Sequence, residues 1–398
     1  MKSVAILGSG TAGLVSISHL LAWLPENWQV YLIHDPNIPI LGIGESTSTQ
    51  IPHSLFHGTG FNLLEIDTYL DSTIKHGVKY VNWRDGDIFT KIPPPYYAMH
   101  FDNFKLRNFC IERFFLKWGK KFCEIQTKVN NIENSADGVK IVSSDKIISF
   151  DYLIDCRGYP ETYEDYDIVE TIPVNHCLVH TVNEPGDWSF TYHIAHPNGW
   201  MFGIPLKTRQ GWGYLYNDTI TDREQALDNL QEILKVQVDQ NKLREFSFKN
   251  YKAKKFIDNR VFKNGNRALF YEPLEALSGW FYDIVIRTFF DVAVNNSLDK
   301  ESANIKLHDY AVDYELFICY MYHQGSVYKS EFWEKTKNKC SNRLINSSRF
   351  KRNTEFLKQI SSNLYNNVST IMPFSYDVWK QIDKDFNFNY FTEVKDVN

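Results

Sequence analysis

An α/β dinucleotide-binding fold, with an added substrate region and a mostly helical C-terminal part, is what this chain of 398 residues predicts. Three observations carry the prediction. SVAIL at residues 3–7 is a short apolar strand run, and Gly8, Gly10 and Gly13 then complete GxGxxG before the helical pattern of LVSISHLLAWL. A second strand run, WQVYLIHD, ends near His34 and Asp35, about 20 residues past the last glycine, where such a fold places the group that meets the ribose hydroxyls. A lone GxGxxG says little, but one that follows a strand, opens a helix and sits inside a βαβ unit specifies nucleotide binding.

Each part of this unit has a physical task. The glycines let the backbone approach a pyrophosphate, and the helix N-terminus offers unpaired N–H groups and a partial positive charge. Gly8, Gly10, Thr11, Ala12 and Gly13 are therefore expected at the cofactor. His34 stands where an acid is usual, which makes Asp35 the expected ribose contact. Further on, ISFDYLIDCRGYPE is an apolar strand ending in Asp155 and Gly158, and RVFKNGNRALFYEPLEALSGW reads as strand, loop and helix entry. No second GxGxxG follows, so a nicotinamide cofactor has no evident site of its own. From about residue 280 the pattern turns helical. These boundaries predict a nucleotide-binding module over 1–295, with a substrate-binding segment interleaved near 85–135, and a helical region over 296–398 that completes the pocket.

Composition removes several function classes. Charged residues make up 23% and the formal net charge is -5, so there is no global basic field for a nucleic-acid backbone. The opening MKSVAILGSG runs directly into glycines with no cleavage-site pattern, and no run approaches the ~18 apolar residues of a membrane span. The expectation is a cytoplasmic protein without a membrane partner. Cys110, Cys123, Cys156, Cys177, Cys319 and Cys340 form no CxxC pair, which argues against a disulfide frame or a bound metal. Homo-oligomerisation is left open. The lysine-rich stretch 235–267 reads as a solvated face. In GWMFGIP, residues 199–205, Pro205 argues against an ordinary central strand, and the plain reading is a strand cap with buried aromatics.

Six blocks in order, GSGTAG (8–13), LGIGESTS (41–48), STIKHGVKYVNW (72–83), GWMFGIP (199–205), GNRALFYEPLE (265–275) and YHQGSVYKSEFW (322–333), resemble the flavin-dependent tryptophan halogenases. The lysine block followed by a WxWxIP-like run and EPLE is the specific part; here Phe202 stands for the second Trp. The resemblance implies a flavin-monooxygenase type of dinucleotide fold that holds FAD. It implies a two-component enzyme to which a separate flavin reductase supplies FADH2, and which uses O2 and a halide, chloride, bromide or iodide, to make a hypohalous oxidant. It further implies cofactor contacts from Gly42, Ile43, Gly44, Glu45, Gly265 and Asn266, and an aromatic wall beside the flavin from Trp200, Phe202, Ile204 and Pro205.

Free hypohalous acid is indiscriminate, so a positioned amine has to direct it to one carbon of an electron-rich ring. The resemblance assigns that task to Lys75 and leaves Lys79, which on a helix would share its face, outside it. Glu275 is implied as the acid acting with Lys75 in electrophilic substitution, with Glu272 structural. Halide is implied at the backbone donors of Leu277 and Ser278, where this chain reads Ala276, Leu277, Ser278 and Gly279 and most relatives have small hydroxyl residues and a glycine, a change expected to favour bromide or iodide. For a small aromatic substrate, indole or phenol-like, the candidates are His100 and Phe101, beside Tyr97, and Phe374, Tyr376 and Trp379. The interval between Lys75 and Trp200 is short for the family, which implies a more open pocket. Two other readings compete. One is a flavin monooxygenase that hydroxylates its substrate; the other is a flavin-binding protein that has lost its chemistry, which Phe202, Ala276 and Leu277 would suit.

Overall fold

The computed structural model describes residues 1–144, 146–359 and 376–390, and the chain divides into two compact units. The first comprises Met1–Thr73, Ala98–Ile168 and Tyr251–Ala311; the second comprises Ile74–Tyr97, Val169–Asn250 and Val312–Asn398. The chain thus leaves and re-enters each unit, and the division runs through the module expected over 1–295. Residues 85–97 of the expected substrate segment belong to the second unit and the remainder to the first.

The first unit is built on a six-stranded sheet in the order Ile257–Asp258, Val261–Lys263, Tyr152–Asp155, Lys2–Leu7, Trp28–His34 and Phe122–Gln126. All its pairings are parallel except the edge pair Ile257–Asp258 with Val261–Lys263. A parallel sheet is covered on both faces, which is why Val4, Ala5, Ile6, Val30, Leu32, Leu153 and Ile154 are fully buried and the strands read as continuous apolar runs. One face packs Ala5, Leu7, Ile33 and Leu153 against Val139, Ile141 and Phe150 of a three-stranded antiparallel sheet, Val129–Asn134, Val139–Ser143 and Ile147–Phe150. The helix Thr11–Trp23 crosses the helix Gln50–Thr59 at Ser18 and Gly58, so closely that a Cβ on Gly58 would lie 2.4 Å from the Ser18 Cα. Only glycine permits that crossing.

The second unit holds a seven-stranded sheet in the order Arg244–Ser247, His176–Val182, Gln210–Tyr216, Gly199–Pro205, Thr191–His196, Gly77–Val81 and Ile88–Lys91. Gly199–Pro205 is therefore a central strand, with neighbours on both sides, against the expectation drawn from Pro205. The proline is accommodated because it is the last residue, opposite Gln210 at the hairpin end, where a missing N–H costs the ladder little. Alternation along this strand turns Met201 toward Trp212, Tyr214, Leu227 and Leu230, under the helix Arg223–Leu234, and turns Trp200, Phe202 and Ile204 to the opposite face.

Among the described residues after 296 the chain is helical, as Lys300–Tyr322, Glu331–Ile345, Ser348–Gln359 and Tyr376–Asp385. Two buried carboxylates of the second unit are each clasped by an arginine. Arg343 donates to both oxygens of Glu315 at 2.6 and 3.0 Å, and Arg349 to both of Asp313 at 2.6 Å. No helix among the described residues is long and apolar enough to cross a membrane.

Candidate functional site

The nucleotide turn is shaped by its own backbone. The Gly8 N–H donates to the Ile33 carbonyl at 2.9 Å, Gly8 has φ +116°, and a Cβ there would lie 2.7 Å from the Cys156 carbonyl oxygen. A Cβ on Gly13 would lie 2.0 Å from the Gly8 carbonyl oxygen, so strand, turn and helix close on one another only with glycine at both positions. Gly10 differs. It is the N-cap of the helix Thr11–Trp23, with no heavy atom within 4 Å of its Cβ position. No side chain caps the helix and no acid sits in its first turn, so an anion can approach its N–H groups through the space at Gly10. The cradle fits the pyrophosphate of FAD.

Around it, Thr11 donates its hydroxyl to Asn103 Oδ1 at 3.2 Å, and Ala12 lies against Gly265, where a Cβ would approach the Ala12 Cβ to 2.6 Å. Gly265 has φ +60°, and the Asn266 carbonyl accepts from the Tyr251 hydroxyl at 2.5 Å. Gly42 and Gly44 take positive φ, and the Asn103 side-chain amide donates to the carbonyls of Ile43 and Gly44 at 3.3 and 3.4 Å. Glu45 is buried, and its carbonyl accepts from the Phe101 N–H. Asn103 thus ties the loop at 42–45 to the helix N-terminus, and nothing in the local sequence announces it.

Two carboxylates expected at the cofactor are engaged elsewhere. Asp155 is buried and receives Arg157 Nε and Nη2 at 2.9 and 2.7 Å, with Arg267 Nε at 3.4 Å, while Gly158 lies in open space beyond it. Asp35 accepts from the N–H and the side-chain amide of Asn37 at 2.9 and 3.1 Å, which holds it in its own turn. Both of these contacts fall on Oδ1.

Residues 72–81 are extended rather than helical, with strands Thr73–Lys75 and Gly77–Val81. Lys75 and Lys79 therefore share no helix face. Lys75 is 4% exposed, whereas Lys79 is half-buried, 2.9 Å from Asp87 and 5.8 Å from the Tyr192 ring centroid. Burial thus sets the two lysines of this motif apart, and an amine buried as Lys75 is must be held by interactions of its own. Burial first, and then the charge of Lys75, hold His193 well below the ordinary histidine range. His193 is itself 3% exposed, with its ring 4.8 Å from Trp200 and 5.1 Å from Tyr80. Trp200 in turn meets Trp83 at 6.1 Å, so the expected aromatic wall is one side of a buried cluster. Phe202 lies over Gly213, where a Cβ would meet its ring at 2.2 Å.

Glu275 stands in a strained turn of the first unit. It has φ +59° and Ala276 φ +52°, two successive left-handed residues of which neither is glycine, at roughly 1–2 kcal/mol each. The helix Leu277–Phe289 begins at once, with Ala276 as an N-cap that provides no side-chain hydrogen bond. The N–H groups of Leu277 and Ser278 belong to its first turn, which suits an anion. Gly279 is needed there, since a Cβ would lie 2.7 Å from Ile51 Cδ1 and 2.8 Å from Ser48 Oγ. Glu275 is half-buried and Glu272 is 1% exposed.

Of the expected substrate residues, His100 and Phe101 lie in the core of the first unit at 0% and 1% exposure, with His100 Nδ1 at 3.0 Å from the Thr73 hydroxyl. Trp379 is 1% exposed and packs on Phe317 and Tyr320 at 5.0 and 4.9 Å, a core position as well. Tyr376 opens the helix Tyr376–Asp385, and Phe374 lies outside the described residues.

A family model described as tryptophan halogenase matches residues 3–92 and 86–375. The chain is 21% identical over 422 residues to the tryptophan 6-halogenase ThaL of Streptomyces albogriseolus, covering 85% of this chain and 79% of that one. It is 21% identical over 362 residues to the tryptophan 7-halogenase RebH of Lentzea aerocolonigenes, covering 71% and 68%. Among solved structures, a tryptophan halogenase from Shewanella frigidimarina superposes with a TM-score of 0.80 at 19% identity, over 100% of this chain and 91% of that one. BrvH, a flavin-dependent halogenase from Brevundimonas sp. BAL3, gives 0.80 at 16% identity, over 97% and 90%.

Proposed function

Because the chain belongs to the tryptophan halogenase family, we propose that it is a two-component halogenase that uses reduced FAD, O2 and halide to halogenate an indole or phenol-like arene through Lys75. The observation that carries this reading beyond the family is the burial contrast within one motif, Lys75 at 4% exposure beside a half-buried, ion-paired Lys79. Reduced FAD, when bound, would give two electrons to O2, which takes two more from halide, so that one oxygen atom ends in hypohalous acid and the other in water.

This chain's residues act around that chemistry. The Gly8–Gly13 turn and the N-terminus of Thr11–Trp23 hold the pyrophosphate. The N–H groups of Leu277 and Ser278 hold the halide. Lys75 directs the oxidant by hydrogen bonding it or by taking the halogen on its amine, and its burial keeps water from that amine. Glu275 orients the oxidant or accepts the proton that the ring loses on substitution. The positive φ values of Glu275 and Ala276 support that role, since strain of this kind gathers at functional sites.

An omission series tests the reading. With indole as the arene, halogenated product should require reduced FAD, oxygen and halide together, and a separate flavin reductase with its nicotinamide should be able to replace chemically reduced FAD. Equal product from this chain with nicotinamide and oxidised FAD alone would contradict the two-component assignment.

Two further outcomes are expected. Glu275→Gln should slow turnover by ~10²–10⁴-fold, the scale of losing one positioned acid or base, without abolishing it; single-turnover rates measure this, and an unchanged rate would remove Glu275 from the chemistry. In competition among equimolar halides, bromide or iodide should be used at least as well as chloride, because the apolar Ala276 and Leu277 stand where relatives have small hydroxyl residues beside the proposed halide donors. A product mixture dominated by chloride would show that these side chains do not widen the site.

A further inference from the structure

The residue at the end of the strand Trp28–His34 normally holds the adenosine ribose with a carboxylate, and here it is a histidine. His34 follows Ile33, whose carbonyl takes the Gly8 N–H, so it stands level with the turn that receives the pyrophosphate. Its side chain is 5% exposed, and Nε2 lies 2.7 Å from Glu124 Oε1 on the neighbouring parallel strand Phe122–Gln126. The same Glu124 oxygen also accepts from the Gln126 side-chain amide at 3.2 Å. A carboxylate that receives both contacts is an acceptor only, so in the neutral imidazole the proton resides on Nε2. Nδ1 then carries a lone pair, and it is buried without a hydrogen-bond partner.

We propose that His34, held in this tautomer by Glu124, is the ribose-recognition residue of this chain, its Nδ1 accepting the hydrogen bond of the adenosine 2′-hydroxyl that a carboxylate would otherwise accept. This rests on the FAD reading above. A buried acceptor with no partner is costly, and a ribose hydroxyl satisfies it. Glu124 is a positioning residue, ninety residues away in sequence, that converts a histidine into a one-directional acceptor.

Flavin-fluorescence titration of the full chain tests the inference, using FAD and an FAD analogue whose adenosine ribose lacks the 2′-hydroxyl. The unsubstituted chain should bind FAD about tenfold more tightly than the analogue, the effect of one hydrogen bond. His34→Phe should bind the two alike, both at about the level of the analogue on the unsubstituted chain. This equality is a coupling that a merely structural role would not produce. The double variant His34→Glu with Glu124→Gln restores an acceptor carboxylate beside an amide donor, and should again prefer FAD about tenfold. It keeps the test decisive if His34→Phe does not fold. Equal binding of FAD and the analogue by the unsubstituted chain, or a preference that persists in His34→Phe, overturns the inference. A chain that binds neither flavin overturns the FAD reading itself, a distinct outcome.

Discussion

Lys75→Ala is expected to abolish halogenated product while FAD binding and oxygen consumption persist. The lysine is 4% exposed and its charge is felt by the buried His193, so under the proposed function its removal takes away the group that directs the oxidant, while the nucleotide turn belongs to the other unit. Oxygen uptake then continues without product, and the oxidant is released to whatever it meets. Lys79→Ala is the control. Its ion pair with Asp87 is partly solvated, where such pairs are worth about 0–1 kcal/mol, so product formation should change little. Both variants are assayed for halogenated arene and oxygen uptake in parallel. Near-normal, regioselective halogenation by Lys75→Ala would show that the mechanism is wrong even with the fold right.

Gly10→Val should leave the fold intact and weaken FAD at least about tenfold, because the space it fills is the approach to an open helix N-terminus. The free protein has no heavy atom within 4 Å of the Gly10 Cβ position, so the unfolding temperature should move little. Gly13→Ala is the contrast. Its Cβ would sit 2.0 Å from a backbone oxygen, and the turn itself would have to open, lowering stability and FAD affinity together. Flavin titration with thermal unfolding separates the two. An unchanged FAD affinity in Gly10→Val would remove the pyrophosphate from this turn.

The strand, turn and helix at residues 2–23 were legible because their constraint is local. Glycine at 8 and 13 is the only solution to contacts made within a few residues or with one adjacent strand. Lys75 was singled out by resemblance, but its setting was not legible. A lysine at 75 and another at 79 suit a helix face, whereas pairing makes the segment extended: Thr73–Lys75 with Ala98–His100, and Gly77–Val81 with Ile88–Lys91 on one side and with Thr191–His196, more than a hundred residues away, on the other. Pro205 misled for a related reason. A proline inside a run argues against a central strand, but not when it is the last residue before the turn.

The full burial of His100 and Phe101 shows the limit of aromatic composition as a guide to where a residue sits. At 15% of the chain, aromatic residues are mostly core, and burial decides which ones can face a substrate. Asp155 and Asp35 had the right chemistry at the right positions for cofactor contacts, yet each carboxylate is claimed by a neighbour, Arg157 and Arg267 for one and Asn37 for the other. The contacts that matter most to the candidate site, His34 with Glu124, Asn103 with Ile43 and Gly44, and His193 with Lys75, join residues about 60 to 120 positions apart. Their spacing carries no periodicity from which they could be read.

The central claim, that this chain halogenates an arene with reduced FAD, is tested most directly by the mass of indole after turnover with reduced FAD, oxygen and bromide. The account predicts replacement of one ring hydrogen by bromine, visible as the bromine isotope doublet and absent when bromide is omitted. Addition of one oxygen in place of bromine would make the chain a hydroxylating monooxygenase, and indole returned unchanged, with an equally unreactive phenol, would contradict the claim outright.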